Sequence, residues 1–255
     1  MKTYPADYDI SEVAKRRLLS VRGEPLFFAD WERAVFIHYE ADPLKLQQCV
    51  PYEVDLYDGR AFVSVVAFRM SRMRPRVGDR SAEWLFKPIT DSRFLNVRTY
   101  VRHGGESGIY FISEWLSNPL SVLLGPWTFG LPYRAAHLDY HHDHETATLR
   151  GMVAAREGML TYSAALDENR FEISTGGSLT EFLLERYTAF TEQNRRKRFF
   201  RIWHEPRRQA SLDVDVTLDH LIGSTGAWWQ SAHCLGGHYS PGVNVWMGWP
   251  HRIRL

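Results

Sequence analysis

Residues 58–70 read DGRAFVSVVAFRM, and this stretch decides the fold class. Asp58-Gly59 is a turn signal, and the alternating run it opens over residues 60–70 is rich in Val and Phe. Such a run reads as a half-buried strand rather than a helix. Further strands are predicted over residues 34–40 (AVFIHYE), 94–103 and 109–116, the last two joined by the hairpin connection His103-Gly104-Gly105. Beyond them come 137–143, 148–156, 160–166 and 170–174, spaced like a meander, then 198–204, 210–218 and 243–249. Four short helices interrupt the strands. One covers 11–19, where Ser11 gives a modest cap, and one covers 42–49, where Asp42 caps and Pro43 takes the first helical position. A third covers 118–129 and ends near Gly130. The fourth covers 178–187, with a Ser178/Glu181 capping box and Leu179, Phe182, Leu183 and Tyr187 on one face. Many strands with a few short helices predict an α+β, mainly β, closed sheet and not a βαβ fold.

The 255 residues are long for one domain but close to the roughly 200–250 that closed β architectures reach. No repeat, low-complexity tract or long linker divides the chain, so one domain is expected, with residues 1–30 as an N-terminal arm. Lys and Arg number 31 against 30 Asp and Glu, a formal charge of +1, which supplies no global field for nucleic acid or an anionic membrane. No apolar stretch approaches a membrane span, and residues 1–20 lack an apolar leader core. Cys49 and Cys234 are read as free thiols in a reducing compartment. The expected location is the cytoplasm.

Several segments, in order, carry a family resemblance: Trp31, Phe36-Ile37-His38-Tyr39, Val50-Pro51, Asp58 to Val63, Asn96 to Val101, Gly108 to Ser113, Leu131 to Ala136, Ser178 to Tyr187 and His238 to Val243. Together they resemble the YqjF-like family of uncharacterised bacterial proteins over nearly the whole chain. That family is similar in fold to acetoacetate decarboxylase. The resemblance implies an acetoacetate-decarboxylase-like antiparallel β-cone or double barrel around an internal cavity, with a few short peripheral helices. It also implies where that enzyme's Schiff-base lysine pair would stand: the decarboxylase run Gly-Tyr-Pro-Lys-Lys matches Gly130-Leu131-Pro132-Tyr133-Arg134 here. Tyr133 replaces the nucleophile and Arg134 the neighbouring charge that lowers its pKa, and a guanidinium cannot act as an amine nucleophile. Ser64 and Asn96, or a near neighbour, fall where the assisting carboxylates would be. The five lysines, Lys2, Lys15, Lys45, Lys87 and Lys197, occupy an arm, helices, a loop and a charged run. Schiff-base decarboxylation is therefore expected to be absent.

The remaining chemistry rests on Arg98, Glu114, Tyr133, Arg134 and His137. If the implied cone holds, these converge on the cavity, where guanidinium groups suit an anionic ligand and Tyr133 is a candidate acid. A buried structural pair of Arg98 and Glu114 explains two of the same residues. His137, Asp139 and His141 share one face of a strand and are the weak metal candidates. An exposed hairpin accounts for them equally, and neither metal nor cofactor is expected. The basic run 194–201 (NRRKRFFR) reads as a solvated turn between strands, and no nucleophile elbow is present. Residues 72–89, with Met73 and Trp84-Leu85-Phe86, read as a long connection that covers the core or forms a lid. Trp228-Trp229 and Trp246 to Trp249 line a cavity, fill the core or permit a homodimer contact. The expectation is a protein binding a small apolar or carboxylate-bearing metabolite. The alternative is a lysine-independent lyase or hydrolase acting on a small acidic substrate.

Overall fold

The computed structural model describes residues 9–77, 90–166 and 170–253. In chain order the strands are β1 (Phe27–Ala41), β2 (Glu53–Val54), β3 (Ala61–Pro75), β4 (Ser92–His103), β5 (Glu106–Leu116), β6 (Tyr133–Ala135), β7 (His137–Asp143) and β8 (Thr148–Ala155). They continue with β9 (Gly158–Leu166), β10 (Glu172–Ile173), β11 (Thr188–Gln193), β12 (Arg196–His204), β13 (Arg208–Leu218), β14 (His233–Met247) and β15 (His251–Arg252). The helices are short and lie where their capping residues put them. Asn118 caps Pro119–Phe129, which stops at left-handed Gly130, while Asp42 caps Pro43–Gln47. Among the described residues no helix is long and apolar enough to cross a membrane.

Seven strands close on themselves in the order β12, β11, β5, β4, β3, β1, β14 and back to β12. The ladders are antiparallel except β5 with β11 and β5 with β6, which run parallel. Each ring strand turns alternate residues inward: Ala34 and Phe36, Phe62 and Val66, Phe94 and Tyr100, Ile109 and Phe111, Ala189, Phe200 and Ile202, and Val245 share one buried cluster. Beyond β14 the sheet runs on as an antiparallel meander, β13, β9, β8 and β7. The opposite face of the ring strands packs in a second core with this meander, uniting Val35, Ile37, Val65 and Val97 with Leu138, Leu149, Val153 and Leu160. Tyr140 Oη donates to the Phe94 carbonyl at 3.0 Å and Arg93 Nη1 to the Leu138 carbonyl at 3.0 Å, pinning the meander to β4.

Three expectations change, and the turn expected in the basic run is found. Asp9, not Ser11, caps the first helix, Ile10–Leu19, because the Ser11 hydroxyl is spent on the His204 carbonyl. The helix expected over 178–187 ends at Leu184: Glu185 leaves helical geometry, accepting from Tyr187 Oη and the Arg207 amide, and Thr188 enters β11. Strands β1 and β14 start earlier than expected, at Phe27 and His233, so part of the supposed arm is ring. The basic run holds the tight turn of a hairpin, with Asn194 and Arg195 both at positive φ between β11 and β12. Trp84-Leu85-Phe86, Lys87 and most of the 72–89 connection lie outside the described residues. Trp228 is fully buried and Trp249 half exposed.

Candidate functional site

The ring interior is apolar except for one polar seam, and strand alternation builds it. His38 follows Phe36 on β1, Ser64 lies between Phe62 and Val66 on β3, and Asn96, Arg98 and Tyr100 alternate down β4. Alternation alone would turn Glu114 away from the face that Ile109 and Phe111 share. The ladder between β4 and β5 shifts between Val97 and Arg98, leaving Ile112 as the extra residue, and this bulge turns Glu114 inward beside Asn96. Arg98 and Glu114 are 5% and 3% exposed. Arg207 joins them from the Glu205-Pro206 connection between β12 and β13. Its guanidinium lies 5.5 Å from the ring centroids of both Trp31 and Phe36, and that of Arg98 lies 5.4 Å from the same Phe36 ring.

A hydrogen-bonded chain crosses the seam. Tyr100 Oη donates to the Leu183 carbonyl at 2.9 Å and lies 2.5 Å from Ser64 Oγ. Ser64 Oγ lies 2.7 Å from His38 Nδ1, and His38 Nε2 lies 2.9 Å from His238 Nδ1. Arg98 Nη2 donates to the same Leu183 carbonyl at 3.2 Å. The helix Leu179–Leu184 thus closes one end of the ring. A pocket of about 180 Å³ remains there, lined by His38, His238, Leu179, Leu183 and Leu212 among others. A wider groove of about 720 Å³ shares Leu212, Leu235 and Gly236 with it and runs past Asp213 and Cys234.

The charges in the seam are unevenly matched. Neither Arg98 nor Arg207 has a carboxylate within ion-pair distance among the described residues. Arg98 Nε, Arg207 Nε and Arg207 Nη1 are buried without a protein acceptor. Asn96 Oδ1, Glu114 Oε2 and Gln209 Oε1 are buried without a donor. Burial lowers the Arg207 guanidinium to about 10, partly offset by Glu185 and reinforced by Arg98, so it stays charged at neutral pH. Burial holds the Glu114 carboxyl well above the usual carboxylate range, against the pull of Arg98, and pushes Glu185 up as well. Burial also keeps His38 and His204 well below the usual imidazole value and brings His238 to about 4. Two cations, neutral imidazoles and weakened acids leave the interior short of negative charge.

Comparison with known proteins follows from this architecture. The model of the DUF2071 family, described as an uncharacterised conserved protein, matches residues 29–244. The chain belongs to the DUF2071 family. It is 25% identical over 228 residues to the uncharacterised protein YqjF of Bacillus subtilis, covering 87% of this chain and 90% of that protein. Among solved structures it is similar to an acetoacetate decarboxylase-like enzyme from Sphingomonas wittichii, with a TM-score of 0.63, 14% identity and 91% and 94% of the two chains covered. It is also similar to acetoacetate decarboxylase from Legionella pneumophila, with a TM-score of 0.61, 15% identity and coverage of 89% and 87%. The enduracididine biosynthesis enzyme MppR, complexed with pyruvate, gives a TM-score of 0.62 at 12% identity, with 91% and 92% covered. The expected family and the acetoacetate-decarboxylase-like fold are both found.

Of the residues singled out in the DUF2071 sequence, three come together. Arg98 and Glu114 share the ring interior, and Tyr133 packs on Phe94 and against Gly125, paired across the ladder with Glu114. Arg134 is a correction to the expected convergence. As the next residue on β6 it takes the opposite face, where it stands over Trp115 and bonds the Glu157 carboxylate at 3.1 Å. His137 is also turned outward and exposed at the start of β7. His137, Asp139 and His141 do share one face of that strand, and it is the exposed one. No group of three or more His, Cys, Asp or Glu among the described residues is arranged to hold a metal ion. No described lysine reaches the ring interior: Lys15 lies over Trp203, Lys45 is on the outer helix Pro43–Gln47, and Lys197 donates to the Pro51 carbonyl. The expected cavity lined by Arg98 and Glu114 is instead the small pocket at His38 and His238, with Arg98 behind Leu183. Arg207, Glu185, His38 and His238 carry no local sequence signal of a site, since only the ring brings them together.

Proposed function

We propose that this protein binds a small anionic ligand, a carboxylate by preference, inside its seven-stranded ring, with Arg98 and Arg207 supplying the charge. The observation that carries the reading is the pair of buried guanidinium groups, neither ion-paired, with three N–H groups left without an acceptor. An uncompensated buried charge is strongly destabilising, and charge-assisted bonds to an anion offset that cost. The pocket at His38 and His238 is lined by neither arginine and is small beside the roughly 300–1,000 Å³ of drug-sized sites, so the ligand proposed is a small metabolite that meets the guanidinium groups behind Leu183. A ligand of the same class stands in one fold neighbour, the MppR structure complexed with pyruvate. Native mass spectrometry of gently purified protein, with denaturation to weigh any released molecule, tests the reading. A stoichiometric small acid that disappears in Arg98→Met and Arg207→Met supports it. A bare chain that takes up neither propionate nor lactate at millimolar concentration overturns it.

One observation favours a second reading, catalysis without lysine. Burial raises both Tyr133 and Glu114 well above their ordinary values and so favours the protonated form of each, which would let either give a proton to a bound substrate. Tyr133→Phe separates the two. A binder loses roughly fivefold in affinity, about 1 kcal/mol for a neutral hydrogen bond, whereas an enzyme loses turnover.

A further inference from the structure

The hydrogen-bonded chain through the seam has one consistent direction, and counting its protons shows it. The Leu183 carbonyl can only accept, so the single Tyr100 hydroxyl proton is committed to it. The 2.5 Å contact between Tyr100 and Ser64 is then made by the Ser64 proton. With that proton spent, Ser64 Oγ can only accept from His38, so His38 carries its hydrogen on Nδ1. A neutral imidazole has one N–H, so His38 Nε2 is a lone pair and His238 Nδ1 must donate to it at 2.9 Å. His38 is neutral on structural grounds: it is 2% exposed, stacks on Phe36 at 6.3 Å, and is faced by Ser64 from β3, His238 from β14 and the Arg98 cation from β4. No carboxylate among the described residues contacts either ring to offset a second positive charge. The same count therefore leaves His238 Nε2 as a lone pair. It has no protein partner among the described residues, and the ring that bears it lines the pocket.

Resting on the anion reading above, we infer that His238 Nε2 is a hydrogen-bond acceptor for the ligand, and that the ligand is a small hydroxy acid. The carboxylate answers the guanidinium groups, and its hydroxyl donates to His238. An amino acid fits less well, because its ammonium group would add a third cation to an interior with two. Ser64 and Tyr100 are positioning residues: they contact no ligand but fix the proton on His38 Nδ1 and so the lone pair on His238 Nε2.

Two measurements test this on the full chain. Long-range imidazole 15N spectra report the tautomers directly, with His38 and His238 both expected as the Nδ1–H form. Calorimetric titration then compares lactate with propionate, which differ by one hydroxyl, and lactate is expected to bind about fivefold more tightly. His238→Phe should erase that ratio while propionate still binds. Ser64→Ala, which keeps His238 in place, should mix the tautomers and narrow the ratio. Equal affinities in the unaltered protein, or a ratio that survives His238→Phe, overturn the inference. If neither acid binds, the anion reading falls and takes the hydroxy-acid class with it. An Nε2–H signal on His238 overturns the proton order separately, whatever binds.

Discussion

Arg207→Met should raise the stability of the empty protein while removing its ligand. In the folded chain Arg207 is buried, its Nε and Nη1 find no acceptor, and its electrostatic support comes from Glu185 and, less, from Tyr187. Each unmet buried donor costs on the order of 1–3 kcal/mol. Against this, the guanidinium contacts with Trp31 and Phe36 are worth about 1–2 kcal/mol each when desolvated, and a methionine in the same space keeps part of that through sulfur–aromatic contact. The Arg207 amide still donates to Glu185 Oε1 at 2.9 Å, and loss of the neighbouring cation moves the Glu185 carboxyl, already raised by burial, further towards its neutral form. The balance is a gain of about 1–2 kcal/mol, in line with replacements of other buried ionic groups by apolar ones. At about 2–4 °C per kcal/mol for a chain of this size, Tm should rise by roughly 2–8 °C. Calorimetry on extensively dialysed protein measures it, since bound ligand would stabilise the unaltered chain by mass action. Lactate affinity should fall by about one to two orders of magnitude, the value of a charge-assisted bond. A variant that loses more than about 4 °C and binds as before would make Arg207 a structural arginine with no part in binding.

Glu114 has a folded pKa raised by burial, so an unfolded chain gives up that proton first and stability is lost as pH rises from the ordinary carboxylate range towards the folded value. Glu114→Gln should therefore gain on the unaltered protein as pH rises from 4.5, which urea unfolding at several pH values checks; a difference independent of pH counts against it. His142 is lowered to about 4 by burial, accepting from Tyr162 Oη and donating to the Arg33 carbonyl. Its folded state resists protonation that the unfolded state accepts near 6.5, so about 3 kcal/mol is lost as pH falls from 6.5 to 4, and His142→Gln should recover much of it. Borohydride added with pyruvate or acetoacetate should leave the chain mass unchanged, because no described lysine reaches the ring; a covalent lysine adduct would contradict that.

The strands and their inward faces were legible because alternation and turn chemistry are local. Asp58-Gly59 opens the turn before β3, and the spacing of Asn96, Arg98 and Tyr100 along β4 already puts them on one side. The same rule, applied to adjacent Tyr133 and Arg134, assigns them to opposite faces, so only one of the two can face the ring interior. Four features were not legible. Ring closure depends on β11 joining β5 in parallel and β12 meeting β14, pairings between distant segments that no local pattern encodes. Glu114 faces inward only because of an extra residue at Ile112. Arg207 sits in a proline-bearing connection with no periodicity, and His38 and His238 are 200 residues apart. The family resemblance supplied the fold, whereas the chemistry had to be found in the residues themselves.

An anion site inside the ring, served by Arg98 and Arg207, is open to direct observation. The most direct test is anomalous diffraction from crystals soaked in sodium bromide. A bromide peak is expected inside the ring, within hydrogen-bonding reach of Arg207 Nε and Nη1 and absent from Arg207→Met. An interior without bromide, with Arg207 instead bonded to Glu185 or to ordered water, would contradict it.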